Sequence, residues 1–383
     1  MILMTENTAL TPFRIDIPQA DVDDLRHRLA QTRWPHPVPG RDDRTDFSRG
    51  IPQAYLQELT AYWLDGFDWR AQEAALNEHD QLTTVVHGQT FHVVHVRSTN
   101  PDATPLVLHH GWPGSFVEYQ RLIPLLTDDF HVIIPSPPGF GFSTPLSGTG
   151  WELARTTDAY AEIMTRLGYE RFAAHGSDIG SGITGRLAAL YPERVVGTHT
   201  AVERRLLGFV GDKLPWPDGL SDDEVSQIEA VRAEAAADRG YLEMQNHRPD
   251  TIGAALSDSP VGQLAWIAEK FATGTTGTHR TPDESVDRDQ LLTNISLYWF
   301  TRAGASSAQF YYEGEHSELG WTMAADVPSG WAVFDTHPLL RRVLDPWNAA
   351  GHWSEFTEGG HFPAMEEPKL LADDLRAFFR NLS

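Results

Sequence analysis

Cysteine is absent from this 383-residue chain, which excludes disulfides, thiol nucleophiles and thiolate-ligated metals and is compatible with a reducing compartment. Basic side chains are scarce. Lys and Arg number 30 against 53 Asp and Glu, and the net charge of −23 at pH 7 repels phosphate backbones and anionic lipid surfaces, so neither nucleic acid nor membrane is an expected partner. No apolar run approaches the ~20 residues of a membrane span. The opening Met1-Ile2-Leu3-Met4 has no basic flank and is too short for a signal segment, so the expected location is cytoplasmic. Internal repeats, low-complexity tracts and metal-ligand spacings are also missing, and no metal or cofactor is expected. What remains is an ordinary globular composition, 41% hydrophobic and 22% charged, in a chain long enough for one main domain with one or two added layers.

Residues 1–80 read as helices. Val22, Leu25 and Leu29 fall at helical spacing, and Tyr55, Leu56, Leu59, Tyr62 and Trp63 form a second apolar stripe. The period then changes: 83–87 and 90–97 are β-branched runs joined at His87-Gly88, a hairpin signal. Wholly apolar runs at 105–108 and 131–134, separated by a helical 116–126, imply buried parallel strands with right-handed crossovers. The alternation continues with a helix at 158–167, a strand at 171–174, a helix at 179–191 and a strand at 194–198. Residues 205–324 break it with amphipathic helices, charged at 221–239 and aromatic-rich at 291–312. Strands at 331–334 and 352–356 and a helix at 367–379 close the chain. The organisation expected is an N-terminal extension (1–80), an α/β core in two parts (81–204 and 325–383) and an inserted helical lid (205–324).

The chemistry centres on Gly176-Ser177-Asp178-Ile179-Gly180 between a strand and a helix, where small residues permit a sharp elbow that lifts one side chain above the sheet. Such an elbow defines the α/β-hydrolase fold, with a mostly parallel central sheet. Serine in that slot would mean acyl transfer; aspartate instead attacks saturated carbon and forms an alkyl ester. Hydrolysing that ester requires a base and oxyanion donors. His361, in Gly359-Gly360-His361-Phe362, follows in the chain order of such enzymes. The backbone N–H groups of Trp112, after the 105–108 strand, and Ile179, after Asp178, are the expected oxyanion hole.

With these residues in view, the chain resembles an epoxide hydrolase of the microsomal or juvenile-hormone type over nearly its whole length. The resemblance is carried by Phe13-Arg14-Ile15-Asp16-Ile17-Pro18, Thr32-Arg33-Trp34-Pro35, His110-Gly111-Trp112-Pro113-Gly114-Ser115, the Asp178 elbow, and Gly359-Gly360-His361-Phe362 through Pro368. It implies two lid tyrosines that polarise the epoxide oxygen, Tyr241 and Tyr311 by position. Microsomal members carry an N-terminal anchor; none is expected here, where the sequence resembles the soluble bacterial members, and a homodimer is a common form among related proteins. The resemblance also implies a third catalytic residue after the 331–334 strand. The usual Pro-x-Asp/Glu is replaced by Asp335-Thr336-His337, and a two-residue deletion brings Asp335 into the acid position, with His337 or a carboxylate elsewhere in the chain as the alternatives.

The expected activity is cofactor-independent addition of water to an epoxide through an aspartyl ester, giving a vicinal diol. Trp112, Trp299, Phe310 and Tyr312, with Phe300 and Trp266, suggest a pocket for a bulky apolar or aryl substrate. Detoxification and natural-product (antibiotic) biosynthesis are both compatible with it. Two alternatives stand beside this reading. Haloalkane dehalogenation shares the Asp nucleophile, though Ile179 replaces the Trp usual after it, and a hydrolase-fold protein that binds an apolar ligand without turnover is the non-enzymatic one.

Overall fold

A computed structural model of the chain describes residues 9–275, 281–318, 325–380 and 382. The Met1–Met4 segment and the 319–324 end of the expected lid lie outside these residues.

The sheet has nine strands in the order β1-β2-β3-β5-β4-β6-β7-β8-β9. Its first three, β1 (Thr11–Phe13), β2 (Gln81–Val86) and β3 (Gln89–Val96), pair antiparallel. The β2–β3 turn is made by His87 and Gly88, both at positive φ (51° and 77°), the conformation whose twist suits a two-residue hairpin. From β5 (Phe130–Pro135) through β4 (Thr104–His109), β6 (Phe172–Gly176), β7 (Val195–Glu203), β8 (Ser329–Phe334) and β9 (His352–Glu355) all pairing is parallel. Leu106, Val107 and Leu108 of β4 and Val132, Ile133 and Ile134 of β5 are wholly buried, as both faces of a parallel sheet require. Because β5 and β6 flank β4 on opposite sides, the chain reverses direction across the sheet at β4. A crevice opens beyond the carboxyl ends of such strands.

Core helices α4 (Ile123–Leu126), α5 (Leu153–Arg166) and α6 (Ile179–Leu190) cover the sheet, with α13 (Leu340–Leu344), α14 (Pro363–Glu366) and α15 (Pro368–Phe379) near the C-terminus. The helix expected over 116–126 is divided. Ser115 caps a 3₁₀ turn, Phe116–Tyr119, and α4 starts afresh with Pro124 in its first turn. Inside one continuous helix, Pro124 would lack an N–H and clash with the carbonyl four residues back. A second difference has larger consequences: β7 continues beyond the expected end at 198 to Glu203, since β8 pairs with it from Thr198↔Ser329 to Glu203↔Phe334.

Between β7 and β8 run α7 (Asp222–Ala237), α8 (Gly240–His247), α9 (Pro249–Asp258), α10 (Pro260–Gly274), α11 (Arg288–Thr301) and α12 (Ala303–Glu315). α7 begins with a reciprocal Ser221–Glu224 capping box. The N-terminal helices are α1 (Gln19–Ala30), α2 (Gln53–Asp65) and α3 (Trp69–Leu76); α1 buries Val22, Leu25 and Leu29, and α2 buries Tyr55, Leu59 and Trp63 of its predicted stripe while Leu56 and Tyr62 are half-buried. They brace the inserted block: Trp63 Nε1 donates to Ser296 Oγ (2.9 Å), and the Tyr62 and Tyr55 hydroxyls donate to Asp289 and Asp283. Among the described residues no helix is long and apolar enough to cross a membrane.

Candidate active site

Asp178 joins β6 to α6 with φ 48° and ψ −128°, a region that costs a non-glycine residue about 1–3 kcal/mol and persists only where the surroundings enforce it. The flanking glycines show how. A Cβ on Gly176 would lie 2.2 Å from the Gly180 carbonyl oxygen, and one on Gly180 would lie 2.0 Å from the His109 oxygen. Both must be glycine for α6 to approach β4 and β6 so closely. Gly111 is under the same constraint, because its Cβ would fall 2.2 Å from Asp178 Oδ1.

The Asp178 carboxylate is held at both oxygens. Trp112 N donates to Oδ1 at 3.0 Å, and His361 Nε2 lies 3.5 Å from Oδ2. Ile179 opens α6 directly after Asp178, and no side chain caps the first turn of that helix. Thus the elbow, the Trp112 N–H and His361 come together. The loop carrying Trp112 is pinned from α11: Asn294 Nδ2 donates to the Pro113 oxygen (2.8 Å) and the Tyr298 hydroxyl to the Gly114 oxygen (2.8 Å). The histidine loop is pinned from α10, where His361 N donates to the Gly274 oxygen at 2.8 Å.

The carboxylate on the other side of His361 is Glu203, not Asp335. Glu203 Oε1 accepts from Nδ1 at 3.0 Å while Oε2 accepts from Arg205 N at 2.5 Å, fixing both oxygens. Asp335 ends β8 in a left-handed conformation (φ 45°). Its side chain is 42% exposed and lies 3.5 Å from Arg204 Nε. His337 is likewise turned away, accepting from Leu339 N. The extension of β7 explains the correction, since five more residues of strand carry Glu203 to the crevice at the ends of β6 and β7.

Tyr241 of α8 stacks on the Trp112 indole (5.0 Å, 9° between planes), and Tyr311 of α12 meets the same ring edge-on (6.0 Å, 84°). Both expected tyrosines therefore flank Trp112 beside Asp178. Phe310 is buried against Phe140. Tyr312 and Trp299, expected in the pocket, are not there. Tyr312, one residue around the helix from Tyr311, is exposed and stacks on His316. Trp299 turns to Arg28 of α1 and Phe300 to Trp69 of α3, because the face of α11 toward the site is the one bearing Asn294 and Tyr298. Trp266 donates to Gln245.

The family described as "Epoxide hydrolase N terminus" matches residues 10–119 and "alpha/beta hydrolase fold" matches 104–216. A protein of Stigmatella aurantiaca, provisionally named an epoxide hydrolase, is 42% identical over 97% of this chain and 85% of its own. Epoxide hydrolase 1 of Sus scrofa is 34% identical over 97% of this chain and 89% of its own. The chain belongs to the epoxide hydrolase family. Among solved structures, juvenile hormone epoxide hydrolase from the silkworm Bombyx mori superposes with a TM-score of 0.82 at 27% identity, covering 98% of this chain and 95% of that one. Aspergillus niger epoxide hydrolase gives 0.82 at 28%, covering 99% and 98%.

The electrostatics of this hydrolase site follow from burial and two carboxylates. Burial opposes a charge on His361, but the hydrogen bond to Glu203 and the charges of Asp178 and Glu203 outweigh it and raise the imidazole to about 9. Glu203, despite a burial that acts upward, is held below its ordinary range by His361. Burial, reinforced by the Asp178 charge, pushes both Tyr241 and Tyr311 up, so each keeps its proton at neutral pH. One further acid was missed by sequence reasoning. Glu118, 3% exposed, lines the small cleft formed with Gly111, Trp112, Gly114, Ser177, Asp178, His361 and Phe362. Burial, with Asp178 and Glu366 adding and His361 opposing, pushes its carboxyl up to about 8. Glu203 had a sequence signal: the apolar and β-branched run from Val195 continues to Val202, and a carboxylate ending a strand next to the elbow strand belongs at the crevice.

Proposed function

We propose that the enzyme opens a bulky apolar or aryl epoxide with Asp178 as nucleophile. The Tyr241 and Tyr311 hydroxyls donate to the ring oxygen as it becomes an alkoxide. The proton supplied there is replaced, in net terms, from the imidazolium of His361. The Asp178 charge disappears into the ester, so one of the two charges that raise His361 is lost as the imidazole is required to act as a base. His361, held by Glu203, then takes a proton from water. The hydroxide adds to the ester carbonyl, whose oxyanion lies against the Trp112 and Ile179 N–H groups at the N-terminal end of α6. Collapse expels the alkoxide, which takes the proton back and leaves as the vicinal diol. The Asp178 carboxyl then returns its proton to His361.

The observation carrying this reading is the double engagement of a strained aspartate, by Trp112 N at 3.0 Å and by His361 at 3.5 Å, with a second carboxylate 3.0 Å behind the histidine. The α7–α12 block is the proposed lid, since it brings Tyr241 and Tyr311 over the crevice. Incubation with styrene oxide is expected to give the diol. In repeated turnovers in water enriched in heavy oxygen, label is expected in the Asp178 carboxylate, because water attacks the ester carbonyl. Label confined to the diol would mean direct hydration and would remove Asp178 as nucleophile.

A further inference from the structure

Away from the active site, three distant parts of the chain bring a donor set together. His199 of β7, His352 of β9 and Asp374 of α15 each offer an atom, and these atoms lie within 4.8 Å of one another. His199 Nε2 is 2.8 Å from Asp374 Oδ2, and His352 Nε2 is 2.7 Å from Asp374 Oδ1. Ser354 Oγ adds a fourth atom, 2.5 Å from Asp374 Oδ1 and 3.1 Å from His352 Nε2. His199 is wholly buried and the Asp374 side chain is 5% exposed, whereas His352 is 20% exposed and opens the cluster toward solvent at the edge strand. We propose that this cluster is a binding site for a borderline divalent first-row cation, Zn²⁺ being the best match.

Two features fit a cation. Asp374 is a nearly buried carboxylate with which, among the described residues, no Lys or Arg pairs; its neighbours are two imidazoles and a hydroxyl. Their hydrogen bonds hold it in the ionised form, the form in which a carboxylate ligates a metal. Second, the far side of His199 is already held, its Nδ1 lying 2.9 Å from His175 Nδ1. A ligating histidine characteristically has its other nitrogen fixed in this way. With Zn²⁺ bound, His199 and His352 each shift onto Nδ1 the proton that Nε2 donates to Asp374, and His199 then donates to His175 Nδ1. Both Nε2 lone pairs then face the metal, a change of tautomer that releases no proton. Two imidazoles and a carboxylate at Zn–ligand distances of about 2.0–2.2 Å form an accepted zinc ligand set. The site would tie β7 and β9 to α15, on the strand that ends in Glu203.

The test uses untagged full-length protein, dialysed after exposure to Zn²⁺, with metal measured by atomic emission and thermal unfolding followed with and without free Zn²⁺. One retained Zn²⁺ per chain and a raised Tm are expected. His352→Ala is expected to lose both, and His352→Gln, whose amide still donates to Asp374, is expected to weaken binding at least about tenfold. The glutamine variant decides the matter if the alanine variant does not fold. A wild-type chain that retains no Zn²⁺ and shows no shift, or variants that retain it as well as wild type, would overturn the proposal.

Discussion

Replacing Glu203 by Gln removes one charge from behind His361 while keeping an oxygen that can accept from Nδ1. In the resting enzyme His361 is raised from 6.5 to about 9, about 2.5 units or on the order of 3 kcal/mol of preference for the protonated ring. Glu203 and Asp178 produce that rise together. Once Asp178 is esterified, only Glu203 remains to support an imidazolium, so its loss falls on the hydrolytic half-reaction. If it accounts for half of the rise, the loss of basicity alone slows water attack by about tenfold or more. Loss of the fixed tautomer adds to this, and losing an orienting carboxylate behind a catalytic histidine can reach about 10⁴. Glu203→Gln is therefore expected to slow ester hydrolysis by about 10²–10⁴ and to leave alkylation much less affected. Rapid quenching followed by mass spectrometry should show the chain heavier by one substrate, with the adduct on the Asp178 peptide. Asp335→Asn, altering an exposed carboxylate beside Arg204, should accumulate no ester and keep wild-type kcat. If Asp335→Asn traps the ester and Glu203→Gln turns over normally, the assignment of the acid is wrong.

Four other outcomes are expected. Tyr241→Phe and Tyr311→Phe should each slow alkylation by about 10²-fold, the scale of a lost positioned acid, whereas exposed Tyr312→Phe should be silent in pre-steady-state measurements. Gly111→Ala should abolish diol formation, since its Cβ would press 2.2 Å from Asp178 Oδ1; crystallography of an active alanine variant would expose the error. His361→Gln should trap the ester, detectable as a stable mass adduct, because the base is needed only in the second step. The His361 contribution to stability should fall with rising pH: its folded value of about 9 lies above the ordinary 6.5, so the contribution is full below pH 6.5 and is lost as pH rises through 9. Denaturant titrations of wild type and Glu203→Gln at pH 7.5 and 9.5, where the buried histidines shifted downward are neutral in both states, isolate it, and Glu203→Gln should flatten the difference.

Much of the fold was legible in the chain because its causes are local. The apolar runs of β4 and β5 must be strands buried on both faces, and His87-Gly88 is a turn by conformational preference. The Gly176–Gly180 elbow needs glycine at both ends because α6, β4 and β6 converge there. The same locality made the meeting of Asp178, His361 and Trp112 readable, each following directly from a strand end or a motif. Tertiary structure decided what depends on a neighbour distant in sequence. Glu203 rather than Asp335 faces His361 because β8 pairs with β7 as far as Glu203, and a strand's length is set by its partners as well as by its own residues. Tyr311 faces the site and Tyr312 faces solvent because one residue turns about 100° around a helix, and which face is inward was fixed only by docking. His199, His352 and Asp374 show no ligand spacing in sequence; only the packing of β7, β9 and α15 brings their polar atoms within 4.8 Å.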